Sequence, residues 1–157
     1  MDFHLNDTQR HWRDVARKLA VEQIGPMAAD VDVGGTFPWD NFRAMVQAGF
    51  YGLHIPVEYG GQGEGLLTLC LVIEELARAC ASTAAVLMAT TLGTYPIVFA
   101  GTEDQKRRYL PGIAGGHLQG CFALTERQAG SDAGAVATNA TPVEGGYELS
   151  GAKCFVG

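Results

Sequence analysis

The sequence predicts an α+β chain, with an N-terminal all-α helical bundle followed by the beginning of an antiparallel β-domain. Three observations carry that expectation. Apolar residues recur at three- and four-residue spacing through most of the chain before Gly115. Helical periodicity stops at Gly115-Gly116, where LQGCFALTE brings strand-type apolar content and then a turn rich in glycine, serine and alanine. Further on, Gly145-Gly146 offers a hairpin turn between two short stretches of strand character. The 157 residues suffice for one domain with a core and are few for two. The boundary is therefore drawn near Gly116, giving domains at 1–116 and 117–157. The second is expected to be cut off, because about forty residues of β-structure neither close a sheet nor cover its edges.

The first helix starts at Asn6 or Asp7, either of which suits a cap, and carries Trp12, Val15, Ala16 and Leu19 on one face. Gly25-Pro26 ends or kinks it. A second helix runs from about Trp39 to Ala48, with Pro38 in its first turn, Phe42, Met45 and Val46 on its apolar face, and Gly49 in the left-handed position beyond it. Gly52 to Gly65 reads as a loop, since five glycines and a proline punctuate it. From Leu66 to about Ala81 the chain is apolar on nearly all sides except at Glu74, Glu75 and Arg78, as in a helix buried in a bundle. A break near Ser82 leads into another helix, with a kink at Tyr95-Pro96 and a cap at Gly101; a short charged helix then begins near Thr102. About five helices are expected before residue 115. Beyond the boundary, Ala137 to Val143 alternates weakly, and Tyr147 to Leu149 and Lys153 to Val156 read as returning strands.

Composition excludes several function classes. Hydrophobic content of 47% against 18% charged residues is that of a folding chain rather than a disordered one. The net charge of -6 is dispersed, so there is no basic patch for nucleic acid. Cys70, Cys80, Cys121 and Cys154 form no CxxC pair and no metal-type spacing with histidine, so neither metal nor a disulfide framework is expected, and they read as buried free thiols. The N-terminal MDFHLNDTQ has neither the basic region nor the apolar run of a signal peptide, which gives a cytoplasmic expectation. The apolar stretch Leu66 to Ile73 is well short of the ~20 residues of a membrane span, so none is expected.

The most specific chemical signal is CFALTERQAGSD, residues 121–132. In a strand running into a small-residue turn, backbone N–H groups can face an anion, glycine at 130 allows close approach of a ligand, and Thr125 and Ser131 supply hydroxyls. The same geometry also serves as a plain turn. His4, His11, His54 and His117 are scattered and read as surface or core residues.

CFALTERQAGSD followed by YELSGAKCFVG resembles the paired flavin-binding motifs of acyl-CoA dehydrogenases. Upstream, GLHIPVEYGG, the EEL of the buried helix and LGTYPIVFAGTEDQKRRYLPGIAGG are similar to that family's N-terminal helical domain in the same order, so the resemblance covers almost the whole chain. It implies an oxidoreductase that converts an acyl-CoA thioester to the α,β-enoyl-CoA, with FAD accepting the hydride and an electron-transfer flavoprotein or other acceptor taking the electrons. Phe122, Ala123, Leu124 and Thr125 would lie along the flavin, Gly130 and Ser131 would meet its pyrophosphate, and Phe155, Val156 and Gly157 would cover the flavin face and approach the reactive nitrogen. Ser131 and Tyr95 are the implied substrate contacts, with Leu92 and Val98 beside Tyr95, although ordinary helix packing explains those three equally. The resemblance implies a catalytic base in a C-terminal domain beyond these residues, so no catalytic residue is assigned here; Glu74, Glu75 and Glu126 are weighed and rejected. A homo-oligomer is implied for the full-length protein. Two positions depart from the family pattern: Arg127, which either faces solvent or meets phosphate, and Gly157, where a hydroxyl residue is common. The alternatives are a flavin oxidase or monooxygenase on the same scaffold, or a noncatalytic partner subunit.

Overall fold

A computed structural model describes residues 4–156. It divides into two compact units, Met1–Gly120 and Cys121–Gly157. Residues 117–118 turn back on the last helix of the first unit, where the His117 and Leu118 amides both donate to the Gly112 carbonyl.

The described residues of the first unit contain six α-helices: α1 (Asp7–Leu19), α2 (Gly25–Gly34), α3 (Trp39–Gln47), α4 (Leu66–Ala79), α5 (Ala81–Ala100) and α6 (Glu103–Ala114). Asn6 caps α1 in a reciprocal box, its side chain accepting from the Gln9 amide at 2.8 Å while Gln9 accepts from the Asn6 amide at 3.0 Å. Gly25-Pro26 does not stop the helix. A π-helical turn, Ala20–Ile24, passes the chain into α2, where Pro26 occupies the first turn and needs no amide partner. The sequence leaves α2 unannounced because it has no fully buried residue and hence no apolar stripe. Pro38 is the cap residue of α3, one position before the first turn. Gly49 takes the expected left-handed conformation, φ 80°.

The largest departure lies between α4 and α5. The break falls at Cys80, a single extended residue (φ -154°, ψ 106°), and α5 then runs unbroken through Ser82 and Pro96. Pro96 is exposed, so the missing donor lies on the solvent side, where water reaches the freed carbonyl. At 20 residues, α5 is long and apolar enough to cross a membrane by length and composition alone, a test that core helices also pass. It packs against α3, α4 and α6. The buried hydroxyls of Thr91 and Thr94 donate to the Leu87 and Thr90 carbonyls of its own backbone. Helix α4 is less enclosed than its composition predicts: Leu69, Val72 and Leu76 are buried, whereas Leu66 and Leu67 are exposed. Gly101 caps α5 in an extended rather than left-handed conformation, and Thr102 forms a second capping box with Gln105.

The main core gathers Ile24, Phe42, Met45, Phe50, Val72, Leu76 and Leu87, and a second cluster joins Ile55 and Tyr59 of the loop to Leu110 and Ile113 of α6. Across the α1–α4 contact, Arg17 donates to both oxygens of Glu75 at 2.7 and 3.1 Å. Glu75 is buried, and this hydrogen-bonded guanidinium holds its carboxyl below the usual range. Replacing Arg17 with Met would leave that carboxylate buried without its counter-ion, so the thermal midpoint should fall at pH 7 and the loss should shrink when Glu75 is also changed to Gln. Circular dichroism melts of the two single variants and the double variant measure this; additive losses would refute the pairing.

The second unit contains β1 (Asn139–Val143) and β2 (Gly146–Ser150), paired antiparallel from Asn139↔Ser150 to Val143↔Gly146. The turn is centred on Glu144-Gly145, with Gly145 at φ 81°, so Gly146 is already the first residue of β2. Every residue of the hairpin is exposed. Neither 121–126 nor 153–156 forms the strand its composition suggests. Among the described residues neither has a ladder partner beyond an isolated bridge of Glu126 with Ala129, and a main-chain bond between them runs from Cys154 N–H to the Thr125 carbonyl, 2.9 Å.

Candidate functional site: two linked motifs

The separated motifs at 121–132 and 153–156 are brought together within the second unit. Their link is Lys153, whose ammonium donates to the Leu124 carbonyl at 3.0 Å and to Glu126 Oε1 at 2.7 Å. Glu126 is buried, and Lys153 is one of several donors around it. Gln128 Nε2 donates at 2.6 Å, the Ala137 amide at 2.8 Å, and Thr138 through both its amide, at 2.9 Å, and its hydroxyl. These donors, Lys153 foremost, push the Glu126 carboxyl far below the usual carboxylate range. A buried carboxylate so fully engaged is a structural anion. Reciprocal bonds between the main chains of Glu126 and Ala129 close the tight turn that follows.

The remaining site residues sit around this link. Phe122, Ala123 and Leu124 are exposed, Thr125 is half-buried, and among the described residues the amides of Phe122, Ala123 and Leu124 reach no protein acceptor. Gly130 and Ser131 are exposed, and a Cβ at Gly130 would meet no protein atom within 4 Å. Phe155 is 93% exposed and has φ 53°, a left-handed conformation that aromatic residues rarely adopt. Val156 is exposed beside it, and Gly157 lies outside the described residues. Arg127 is exposed, in keeping with the solvent-facing alternative.

Tyr95 belongs to the helical unit, where its ring packs on His54 at 4.9 Å and stacks on Phe99 at 5.3 Å. It borders two clefts. One, of about 460 Å³, also has His54, Val98 and Phe99 in its wall; the other, of about 330 Å³, is lined by Leu69, Ile73, Met88 and Leu92 and is almost wholly apolar. Leu92 and Val98 thus flank Tyr95 in different clefts. Among the described residues both ring nitrogens of the buried His54 find no hydrogen-bond partner, and burial lowers its pKa to about 4.

Two expectations need correction. The thiols are free, but only Cys80 is buried; Cys70 and Cys121 are exposed. The joint role of Glu126 and Lys153 was also missed. Its sequence signal is slight: Glu126 shares its motif with a second acid, Asp132, and only Lys153 is a lone lysine in the other. Glu74 is exposed, and Glu75 is occupied by Arg17. Among the described residues no group of His, Cys, Asp or Glu could hold a metal ion.

The described residues thus form a unit of six α-helices and a second unit in which an antiparallel hairpin accompanies two distant motifs clasped by an ion pair. Residues 6–117 match the family profile of the acyl-CoA dehydrogenase N-terminal domain. The chain belongs to the acyl-CoA dehydrogenase family. It is 38% identical over 157 residues to a probable acyl-CoA dehydrogenase of Bacillus subtilis, covering 99% of this chain and 41% of that protein. Among solved structures it is similar to a chain in one described as the electron transferring flavoprotein of Acidaminococcus fermentans, with TM-score 0.93, 38% identity and coverage of 99% of this chain and 41% of that one. It is also similar to butyryl-CoA dehydrogenase from Megasphaera elsdenii, with TM-score 0.91, 34% identity and coverage of 99% and 42%. The chain spans about two fifths of the length of the curated relatives it matches.

Proposed function

We propose that this chain forms the N-terminal part of an FAD-dependent acyl-CoA dehydrogenase that oxidises an acyl-CoA thioester to the α,β-enoyl-CoA. The observation that carries the reading is the clasp of the two motifs, which leaves the 122–124 amides, the Thr125 hydroxyl and the exposed Phe155 free for a planar heterocycle. The open space at Gly130 and the Ser131 hydroxyl suit a phosphate of the same cofactor. Bound FAD would supply the hydride acceptor. The protein's own residues would hold the ring by main-chain donors and cover it with Phe155 and Val156, with Gly157 beside it. Ser131 and Tyr95 would contact substrate, and the apolar clefts beside Tyr95 suit an acyl tail.

Dehydrogenation breaks the α-C–H bond by proton transfer to a base and the β-C–H bond by hydride transfer, and the remaining electron pair forms the double bond. Glu75 and Glu126 are both engaged by cationic partners that lower their basicity, so neither is assigned as the base, which by resemblance to the family would lie in a C-terminal domain. The electron acceptor would be an electron-transfer flavoprotein, the full-length protein a homo-oligomer, and its location the cytoplasm.

The test is to purify the full-length protein and add acyl-CoA without oxygen. A yellow protein whose flavin absorbance bleaches is the expected result, followed by recovery on addition of electron-transfer flavoprotein. A folded protein that binds no flavin would refute the proposal, and rapid direct reoxidation by oxygen would replace it with an oxidase.

A further inference from the structure

The carbonyls of Leu124 and Thr125 are fixed by the neighbouring pair Lys153 and Cys154. A peptide group is planar and trans, so holding the Leu124 carbonyl toward Lys153 aims the Thr125 N–H away from it. Lys153 is itself held by Glu126, whose other donors come from the turn at Gln128 and from Ala137 and Thr138 at the threshold of β1. At Gly151, just after β2, a Cβ would lie 2.3 Å from the Thr138 hydroxyl oxygen, so glycine there lets Thr138 stay on Glu126. Main-chain direction at 124–125, the turn and the hairpin base therefore converge on one buried ion pair.

We infer that Lys153 and Glu126 are positioning residues for the flavin, setting the Thr125 main-chain donor at the end of the 122–125 segment without touching the cofactor; this rests on the flavin reading above. Exposed ion pairs contribute little, but here the carboxylate is buried and the lysine is mostly covered. Removing the lysine takes the cationic partner from a buried carboxylate and releases the Leu124 carbonyl, so the 124–125 peptide loses that hold.

The experiment uses the full-length protein stripped of flavin and titrated with FAD. Lys153→Met and Glu126→Gln should each raise the FAD Kd about tenfold or more. Lys153→Arg should restore most of the affinity, because a guanidinium has enough donors for both acceptors. The exposed hairpin variant Glu148→Ala should leave the Kd unchanged. If the wild-type protein binds no FAD, the functional reading itself fails. If it binds FAD and both Lys153→Met and Glu126→Gln keep its affinity, the positioning role alone is overturned, even where their melting temperatures fall. Should Lys153→Met not fold, Glu126→Gln, which keeps the side-chain shape, decides the matter by the same Kd.

Discussion

Gly61→Ala is expected to cost about 3 kcal/mol of folding stability and to lower the unfolding midpoint of the helical unit. A Cβ at this position would lie 1.9 Å from the Ile55 carbonyl oxygen and 2.6 Å from the Ile55 Cβ, and backbone cannot yield as a flexible side chain does. The loop doubles back there. Gly61 donates to the Pro56 carbonyl, Gln62 to Gly52, Gly63 to Ile55 and Glu64 to Leu53. Ile55 is fully buried against Tyr59, Leu110 and Ile113, so relieving the clash would open the second core cluster. Gly60 is the internal comparison. It has φ 84°, and a Cβ there would meet no atom within 4 Å, so Gly60→Ala carries only the left-handed backbone cost of about 1 kcal/mol. Urea titrations of the two variants measure the difference, and equal losses would contradict the steric argument.

His54 should impose an acid limb on stability. Its folded pKa is lowered to about 4 because burial disfavours the imidazolium. Below about 6.5 the unfolded chain takes up a proton that the folded chain refuses. Stability is therefore expected to fall as the pH drops from about 6.5 to about 4, by about 3 kcal/mol in all. The depressed carboxyls of Glu75 and Glu126 act in a lower window, since their stabilisation is present above the unfolded carboxyl range and is lost as the pH falls beneath it. His54→Leu should flatten the profile between pH 7 and 5 and be no less stable at pH 7, because it removes two buried nitrogens that have no partner. Urea midpoints at the two pH values test this; a variant with the wild-type slope would remove His54 as the cause.

The order of helices and the hairpin were legible because each leaves a local mark. Asn6 and Thr102 head their capping boxes, Gly49 takes its left-handed conformation, and the β2 residues Tyr147 to Leu149 pair across a glycine turn. What stayed hidden depends on contacts distant in sequence. Helix α2 has no fully buried residue, so no periodicity betrays it. The continuity of α5 through Pro96 depends on that proline facing solvent, which composition does not reveal. The stretches 121–126 and 153–156 have strand composition, but a strand needs a ladder, and its partners are not set by their own residues. The two motifs were recognisable as a pair by their resemblance to a known family, whereas the ion pair joining them spans 27 residues and carries no local signature.

That separation bears on how the second unit assembles. Closing a flexible loop costs entropy that grows with its length, whereas a hairpin with a two-residue turn closes locally. Once Asn139 pairs with Ser150, the chain between Glu126 and Lys153 is no longer one long loop but two short arms leaving the base of the hairpin. The hairpin thus acts as a splint for the ion pair, exposed on both faces, with its value to the site lying in the loop entropy that its pairing removes from the closure of Lys153 on Glu126.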